Sequence, residues 1–306
     1  MKIVITGISG KLGRMVAWPL EAEGHDIYGI DLRPWPDAPP GVEMYHEDVR
    51  KRPAADIFRT KRPDALIHMA TVGQTGKERD GSKQRYRTNL RGTKAVFEHC
   101  HEYDVDKAIF VGRHTFYGAA PDSPFYHTEE DPPMAVTTFP ELADLIAADL
   151  FALSTLWRHP NLTTAVLRLC YTIGPSGRGT LATYLKSGRV PTVLGFDPLY
   201  QFMHERDAAR AIRLALEHDL QGAYNVAGPQ PLPLSNIIDI TNGTNLRIPQ
   251  PLFNHVTGRF GISDLPPGAL DHIKYPVVVD DSRFREETGF DHDFDEIQSL
   301  EAYRWA

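Results

Sequence analysis

Alternation between short apolar runs and longer helical stretches constrains this chain more than any other feature. The apolar runs are KIVIT at 2–6, HDIYGID at 25–31, VEMYH at 42–46, DALIHMA at 64–70, KAIFVG at 107–112 and TTAVLRLC at 163–170. A strand buried on both faces presents no polar side, so it reads as a continuous apolar run. Segments 11–23, 53–61, 83–103 and 139–158 between or beside them carry helical patterns. Such strand–helix alternation predicts an α/β protein with a doubly wound parallel sheet. Right-handed crossovers then bring the loops after strands 1, 2, 4 and 5 to one carboxyl edge, where sheets of this kind bind ligands.

Past residue 172 the regularity fails, and Pro and Gly become frequent (GPSGRG, VPTVLGFDP, LPPG). Residues 1–172 are expected to form a nucleotide-binding domain. Residues 199–227 return to it with a helix at 205–218 and a strand at 222–227. Residues 173–198 and 228–306 form a smaller, loop-rich substrate-binding region over the carboxyl edge.

The first loop carries Gly7, Gly10 and Gly13, with Ser9, Lys11 and Leu12 among them. It follows a strand and opens a helix, the context a dinucleotide site needs. Gly7 permits the tight turn, Gly10 lets the backbone approach a pyrophosphate, and Gly13 lets helix and strand pack closely. The helix N-terminus offers unpaired N–H groups and partial positive charge to the phosphates. Asp31 ends the second strand, where a carboxylate accepts from both adenosine ribose hydroxyls and repels a 2′-phosphate. NAD is therefore the expected cofactor; Arg33, two residues on, keeps NADP open.

The formal net charge of −7 argues against a nucleic-acid partner. No uncharged apolar run nears the roughly 20 residues of a membrane helix. The start shows no signal peptide, so a cytoplasmic location is expected. Cys100 and Cys170 each sit in apolar runs and read as core residues. His99, Cys100 and His101 face different ways on a helix, so no metal is expected. The same holds for the acidic run 291–296, which lacks the glycine of a calcium loop.

With these residues in place, the chain resembles the extended short-chain dehydrogenase/reductase superfamily, of the NAD-dependent epimerase/dehydratase type. Gly7-x-x-Gly10-x-x-Gly13 resembles its cofactor fingerprint. Asp48-Val49 resembles its adenine-contacting pair, and His68-Met69-Ala70, followed by Thr71, its H-L-A segment. Asn89-x-x-Gly-Thr, Phe116-Tyr117-Gly118, Arg168…Gly174-Pro175 and Phe202…Asp207 resemble further family segments. The resemblance implies a Rossmann domain with NAD, a small-molecule substrate between it and the C-terminal part, and a homodimer through helices 83–103 and 139–158. It also implies a Ser/Thr–Tyr–Lys catalytic set.

Here the sequence departs. Arg113 falls at the Ser/Thr position, Phe139 at the Tyr and Ala143 at the Lys. No tyrosine lies between Tyr126 and Tyr171 and no lysine between Lys107 and Lys186, so no slip restores the pair. Tyr103-x-x-x-Lys107 runs into the start of strand 5, at the opposite sheet end. A phenol lowered in pKa by a lysine is worth roughly 10²–10⁴-fold as acid or base. Replacements must come from the same edge: His114, whose ordinary pKa suits proton transfer, then Tyr117 and Thr115, with Arg113 to hold an anionic group or stabilise an oxyanion. Alternatively Arg113 pairs with Glu129 or Glu130 and His114 is a satisfied loop histidine. Tyr126 and His127 could face the pocket. Tyr200 stands where nucleotide-sugar members carry a diphosphate-binding arginine; Arg178 and Arg189 could serve instead. Two functions stay open: an oxidoreductase or epimerase acting on a small hydroxy, keto or sugar-like substrate with a non-standard acid–base group, or a silent NAD-binding sensor, regulator or scaffold.

Overall fold

The computed structural model describes residues 1–72, 81–258 and 265–305. Seven strands form one sheet: β1 (Lys2–Thr6), β2 (Asp26–Ile30), β3 (Val42–Tyr45), β4 (Ala65–His68), β5 (Lys107–Arg113), β6 (Thr163–Leu169) and the strand Gly222–Val226. From one edge their order is Gly222–Val226, β6, β5, β4, β1, β2, β3. Every pairing among them is parallel. The order reverses between β1 and β4, the switch point at which such sheets open a ligand crevice.

Successive side chains of a strand point to opposite faces, and β1 shows it. Ile3 and Ile5 join the apolar cluster under α1 (Lys11–Ala22) and the Glu205–Glu217 helix, through Val16, Leu20, Ile212 and Leu216. Val4 joins the cluster on the other face, under α2 (Arg52–Lys61), α3 (Gly81–Glu102) and the Ala143–Arg158 helix, through Phe58, Phe97 and Ala152. All three side chains are fully buried, which is why the run reads as unbroken.

The helix expected over 139–158 starts only at Ala143. Pro140 is the reason. A residue before proline is pushed out of the α region, and Phe139 sits at φ −141°, ψ 70°. Short turns at Ala135–Thr138 and Pro140–Leu142 lie on either side of it.

After β6 the chain leaves the sheet. Tyr171–Ile173 pairs with Phe202–His204, and Arg189–Val193 pairs with Thr244–Ile248. These pieces enclose an apolar cluster of their own, with Leu181, Val190, Phe202, Ile237 and Leu300. The segment Val277–Val279 ties this layer back: Val279 bridges His127, and its N–H and carbonyl meet the Gln201 side chain at 3.0 and 3.2 Å. Both cysteines are free and buried. Among the described residues, no helix is long and apolar enough to cross a membrane.

Candidate functional site

The glycine turn lies at the carboxyl end of β1. Gly7 has φ +76°, and a Cβ there would stand 2.7 Å from the Met69 carbonyl. Only glycine meets both demands. Gly13 packs the start of α1 against the turn, where a Cβ would come within 2.7 Å of Ile8. At Gly10 the nearest neighbour would be the Gly7 carbonyl oxygen at 3.1 Å, and the first turn of α1 has no acidic residue. This backbone cradle, at a helix N-terminus, fits a pyrophosphate. Lys11 is exposed at its rim, and Leu12 packs partly into the core.

Asp31 is buried at the next loop, and all its acceptor directions are in use. It accepts from the Ser9 N–H at 3.1 Å and the Arg33 N–H at 2.9 Å. The Arg33 guanidinium adds contacts at 3.2 Å (Nε) and 3.1 Å (Nη2). Ser9 Oγ closes the loop by donating to the Arg33 carbonyl at 2.7 Å. A ribose diol therefore competes with Arg33, which is mostly exposed and free to swing away. Asp48 is held the same way: Arg50 grips it through its backbone N–H and guanidinium and holds its carboxyl below the usual range. Val49 is buried beside it.

The loop after β4 forms the far wall. Thr71 N–H donates to the Met69 carbonyl at 2.8 Å, and Ala70 abuts Gly7. Asn89, fully buried on α3, clamps Val72 at both N–H (2.8 Å) and carbonyl (2.9 Å) and also donates to Asp144 at 2.6 Å. His68 lies between Thr6 at 2.6 Å and Thr93 at 2.9 Å, and burial drives its pKa down to about 3.

Beyond this wall, Thr71, Gly112, Arg113, Thr115, Leu142 and Ile146 line a cleft. Arg113 is half-buried, and among the described residues it has neither an ion pair nor a hydrogen bond; burial lowers its pKa, and Asp144 is the charge that most opposes this. The pairing with Glu129 or Glu130 is absent, because Glu129 accepts from the Asn225 N–H at 2.7 Å.

The neighbours of Arg113 are placed differently from a sequence-based expectation. Tyr117 turns into the core, where its hydroxyl donates to Asn225 at 2.6 Å and accepts from Arg168 at 3.0 Å, and burial raises its pKa to about 12. His114 is 1% exposed. Its Nδ1 lies 3.2 Å from the Leu169 carbonyl and so carries the proton, leaving Nε2 buried and without a partner. Desolvation holds its pKa at about 3, so the ring is neutral. Thr115 faces the cleft. His127 stacks on Tyr117 at 4.9 Å and donates from Nδ1 to the Asp131 carboxylate at 2.9 Å, while Tyr126 is exposed.

Phe139 packs against His272, with ring centroids 5.2 Å apart, and against Gly268, where any Cβ would strike its ring. Ala143 is exposed. Neither carries a proton or a charge.

A model of the NAD dependent epimerase/dehydratase family matches residues 3–227. The chain belongs to that family. It is 25% identical over 276 residues to an uncharacterised Mycobacterium tuberculosis protein, Rv0501, covering 86% of this chain and 70% of that one. It is 24% identical to a Streptomyces 3-diazoavenalumate denitrifying reductase, covering 76% of this chain and 78% of that one. The fold is similar to the Thermus thermophilus UDP-glucose 4-epimerase in complex with NAD, with a TM-score of 0.79 and 20% identity over 99% of this chain and 98% of that one.

Within this epimerase/dehydratase frame, the structure gathers Gly7, Gly10, Gly13, Asp31, Asp48, Met69, Ala70, Thr71 and Asn89 along one edge. It also pairs Arg168, part of one of the family segments, with Asp149, which the sequence did not single out. Asp149 and Arg168 form a buried ion pair at 3.0 Å beneath the cleft, and Arg168 lies 3.6 Å above the Phe116 ring. An aspartate and an arginine inside two apolar runs were the available signal. Asp144, which braces Asn89, and His272, distant in sequence, gave none.

Proposed function

We propose that this chain is an NAD-dependent oxidoreductase or epimerase in which Arg113, not a phenol, answers the charge that develops on the substrate oxygen. Bound NAD supplies the hydride acceptor and, when reduced, the donor. The supporting observation is the Arg113 guanidinium in the cleft beside Thr71 and Thr115, unpartnered among the described residues. A preorganised cation aimed at a developing oxyanion stabilises its charge, and the proton that completes or leaves the hydroxyl would pass to or from solvent through Thr115, which lines the same cleft. His114 and Tyr117 are assigned no proton transfer: the first is neutral far below pH 7, and the second is locked to Asn225 and Arg168.

The backbone cradle at Gly7, Gly10 and Gly13 would hold the pyrophosphate, Asp31 the adenosine ribose and Asp48-Val49 the adenine. NAD is preferred, with NADP competing through Arg33. The substrate is a small hydroxy or keto compound between residues 1–172 and the region made of 173–198 and 228–306, whose residues 259–264 and 306 lie outside the described ones. We further propose a cytoplasmic protein, in keeping with its two free thiols. We also propose a homodimer through α3 and the Ala143–Arg158 helix, which pack together and expose Tyr86, Leu150 and Trp157. Light scattering checks the dimer.

A second reading, an NAD sensor without turnover, is favoured by Phe139 and Ala143, which carry no titratable group where the family sets a tyrosine and a lysine. One pair of experiments separates them. Calorimetric titration with NAD, then NADP, tests the site. Nicotinamide absorbance over a panel of ketones and alcohols tests turnover. Micromolar NAD binding with substrate-dependent absorbance change supports the enzyme; binding without turnover supports the sensor; no binding refutes both.

A further inference from the structure

The cleft beside Arg113 runs inward between β5 and the Ala143–Arg158 helix. Val111 and Gly112 line it from the strand, and Leu145, Ile146 and Asp149 line it from the helix. The space there suits about one water molecule, which needs about 10–15 Å³. An internal water also needs about two to four polar partners, and a cavity without them stays dry. Thr71, Arg113, Thr115 and Asp149 all border this space.

Asp149 is the buried carboxylate among them. Its Oδ1 accepts from Arg168 Nη2 at 3.0 Å and its Oδ2 from Arg168 Nε at 3.3 Å. Each oxygen of a carboxylate accepts in two directions, so both keep capacity for another donor. Oδ2 lies over the backbone of Gly112, where a Cβ would stand only 2.9 Å from it. The glycine thus leaves the carboxylate open toward the cleft. Arg168 is fixed in turn by the Tyr117 hydroxyl at 3.0 Å, the Glu129 carbonyl at 3.4 Å and the Phe116 ring. On α3, which packs along the same helix, Arg85 and Asn89 engage Asp144 instead. Burial pushes the Asp149 carboxyl above its ordinary value, and Arg168 is the charge that opposes this. A carboxylate held this way takes up a proton nearer neutrality than one in water.

We infer that Asp149 is the proton acceptor of the hydride exchange, reached from the substrate oxygen through Thr115 and one internal water. The inference rests on the hydride-exchange reading and deepens it by naming the group that takes the proton beyond Thr115. As a substrate alcohol loses hydride to bound NAD, its O–H bond breaks as well. That proton goes to the Thr115 oxygen, the Thr115 proton goes to the water, and a water proton goes to Asp149. The alcohol has then lost a hydride and a proton and is a ketone, and the carboxylate is a neutral acid. Ketone reduction runs the same chain backward. Arg113 faces the substrate oxygen throughout and steadies its negative charge.

The test joins infrared spectroscopy to a pH profile. Between about pH 8 and pH 4 the wild-type protein should gain a carboxylic-acid carbonyl band whose midpoint lies above the ordinary aspartate value of about 3.9. The difference spectrum against Asp149→Asn/Arg168→Gln assigns the band; that variant removes both charges, so neither is stranded. In NAD-loaded protein, kcat for the best alcohol of the panel should fall toward acid with the same midpoint, and the double variant should lose that limb. Thr115→Val should lower kcat by about 10²-fold or more while NAD affinity and the Asp149 band stay, and Thr115→Ser should restore most of it. An acid limb that survives the loss of Asp149, or no band assignable to it above the ordinary range, would overturn the inference. If the double variant does not fold, the wild-type crystal structure decides. One ordered water within hydrogen-bond reach of both Thr115 and Asp149 is expected there, and its absence sinks the relay. Failure of the underlying reading looks different. No NAD-dependent turnover removes the hydride reading and the relay together, whereas turnover at full rate in Thr115→Val removes the relay alone.

Discussion

Replacing Arg113 by Met separates a functional cation from a structural one. In the folded chain the guanidinium makes no hydrogen bond or ion pair among the described residues. Its removal orphans no carboxylate, since Asp144 keeps Asn89 at 2.6 Å and Arg85 at 3.8 Å. Met preserves most of the apolar stem. The stability change should therefore stay within about 1 kcal/mol, and the sign should favour the variant, because a half-buried charge is released from desolvation. The loss at the transition state is much larger. Removing one preorganised donor to an oxyanion costs about 2.7–4 kcal/mol, or roughly 10²–10³ in kcat. The assay pairs scanning calorimetry with nicotinamide absorbance on the best ketone or alcohol. Expected are an unchanged or slightly higher Tm, unchanged NAD affinity, and a kcat down by two to three orders of magnitude. A Tm lowered by more than about 4 °C, with kcat intact in the folded fraction, would refute the reasoning and make Arg113 a packing residue.

Arg33→Ala should tighten NAD binding by freeing two acceptor positions on Asp31, and weaken NADP binding, whereas Asp31→Ala should weaken NAD; titration calorimetry reads all three. Gly7→Ala should abolish NAD binding and lower Tm, because its Cβ meets the Met69 carbonyl at 2.7 Å in a backbone region at φ +76°. Asp149→Ala should destabilise by about 3–5 kcal/mol in urea unfolding, since it strands the buried Arg168 with only neutral partners. His68, His114 and His272 have folded pKa values lowered to about 3, 3 and 4. The folded state thus binds fewer protons than the unfolded one below the ordinary histidine value near 6.5. Their contribution is full above that value and is lost as pH falls toward 4, by up to about 4 kcal/mol per pH unit for three protons. Urea unfolding at pH 7 and pH 5 should show the drop, and equal stabilities would sink the assignment.

The sheet was legible because its strands are buried on both faces, and Ile3, Val4 and Ile5 show why an unbroken apolar run means that. The glycine turn was legible because Gly7 and Gly13 answer to backbone geometry, which leaves no choice of residue. The start of the Ala143–Arg158 helix was misplaced because helical periodicity outweighed Pro140. The proton-transfer candidates were harder. A loop tyrosine and histidine look available in sequence, yet Tyr117 reaches Asn225, 108 positions away, and His114 reaches Leu169, 55 away. Sequence left Arg113 open between an anionic ligand group and Glu129 or Glu130, and only the fold shows Glu129 committed to the Asn225 backbone. Contacts made over such distances leave no periodic trace.

The seventh strand comes late. Gly222–Val226 pairs along β6 from Ala165 to Leu169, and Asn225 holds the Tyr117 hydroxyl. On the ribosome, the first six strands emerge well before that partner, so the edge of β6 waits unpaired until residue 226 is out. An open edge of apolar residues is an invitation to another chain. A chain cut at residue 172 would keep that edge open, and should aggregate more readily than the full chain.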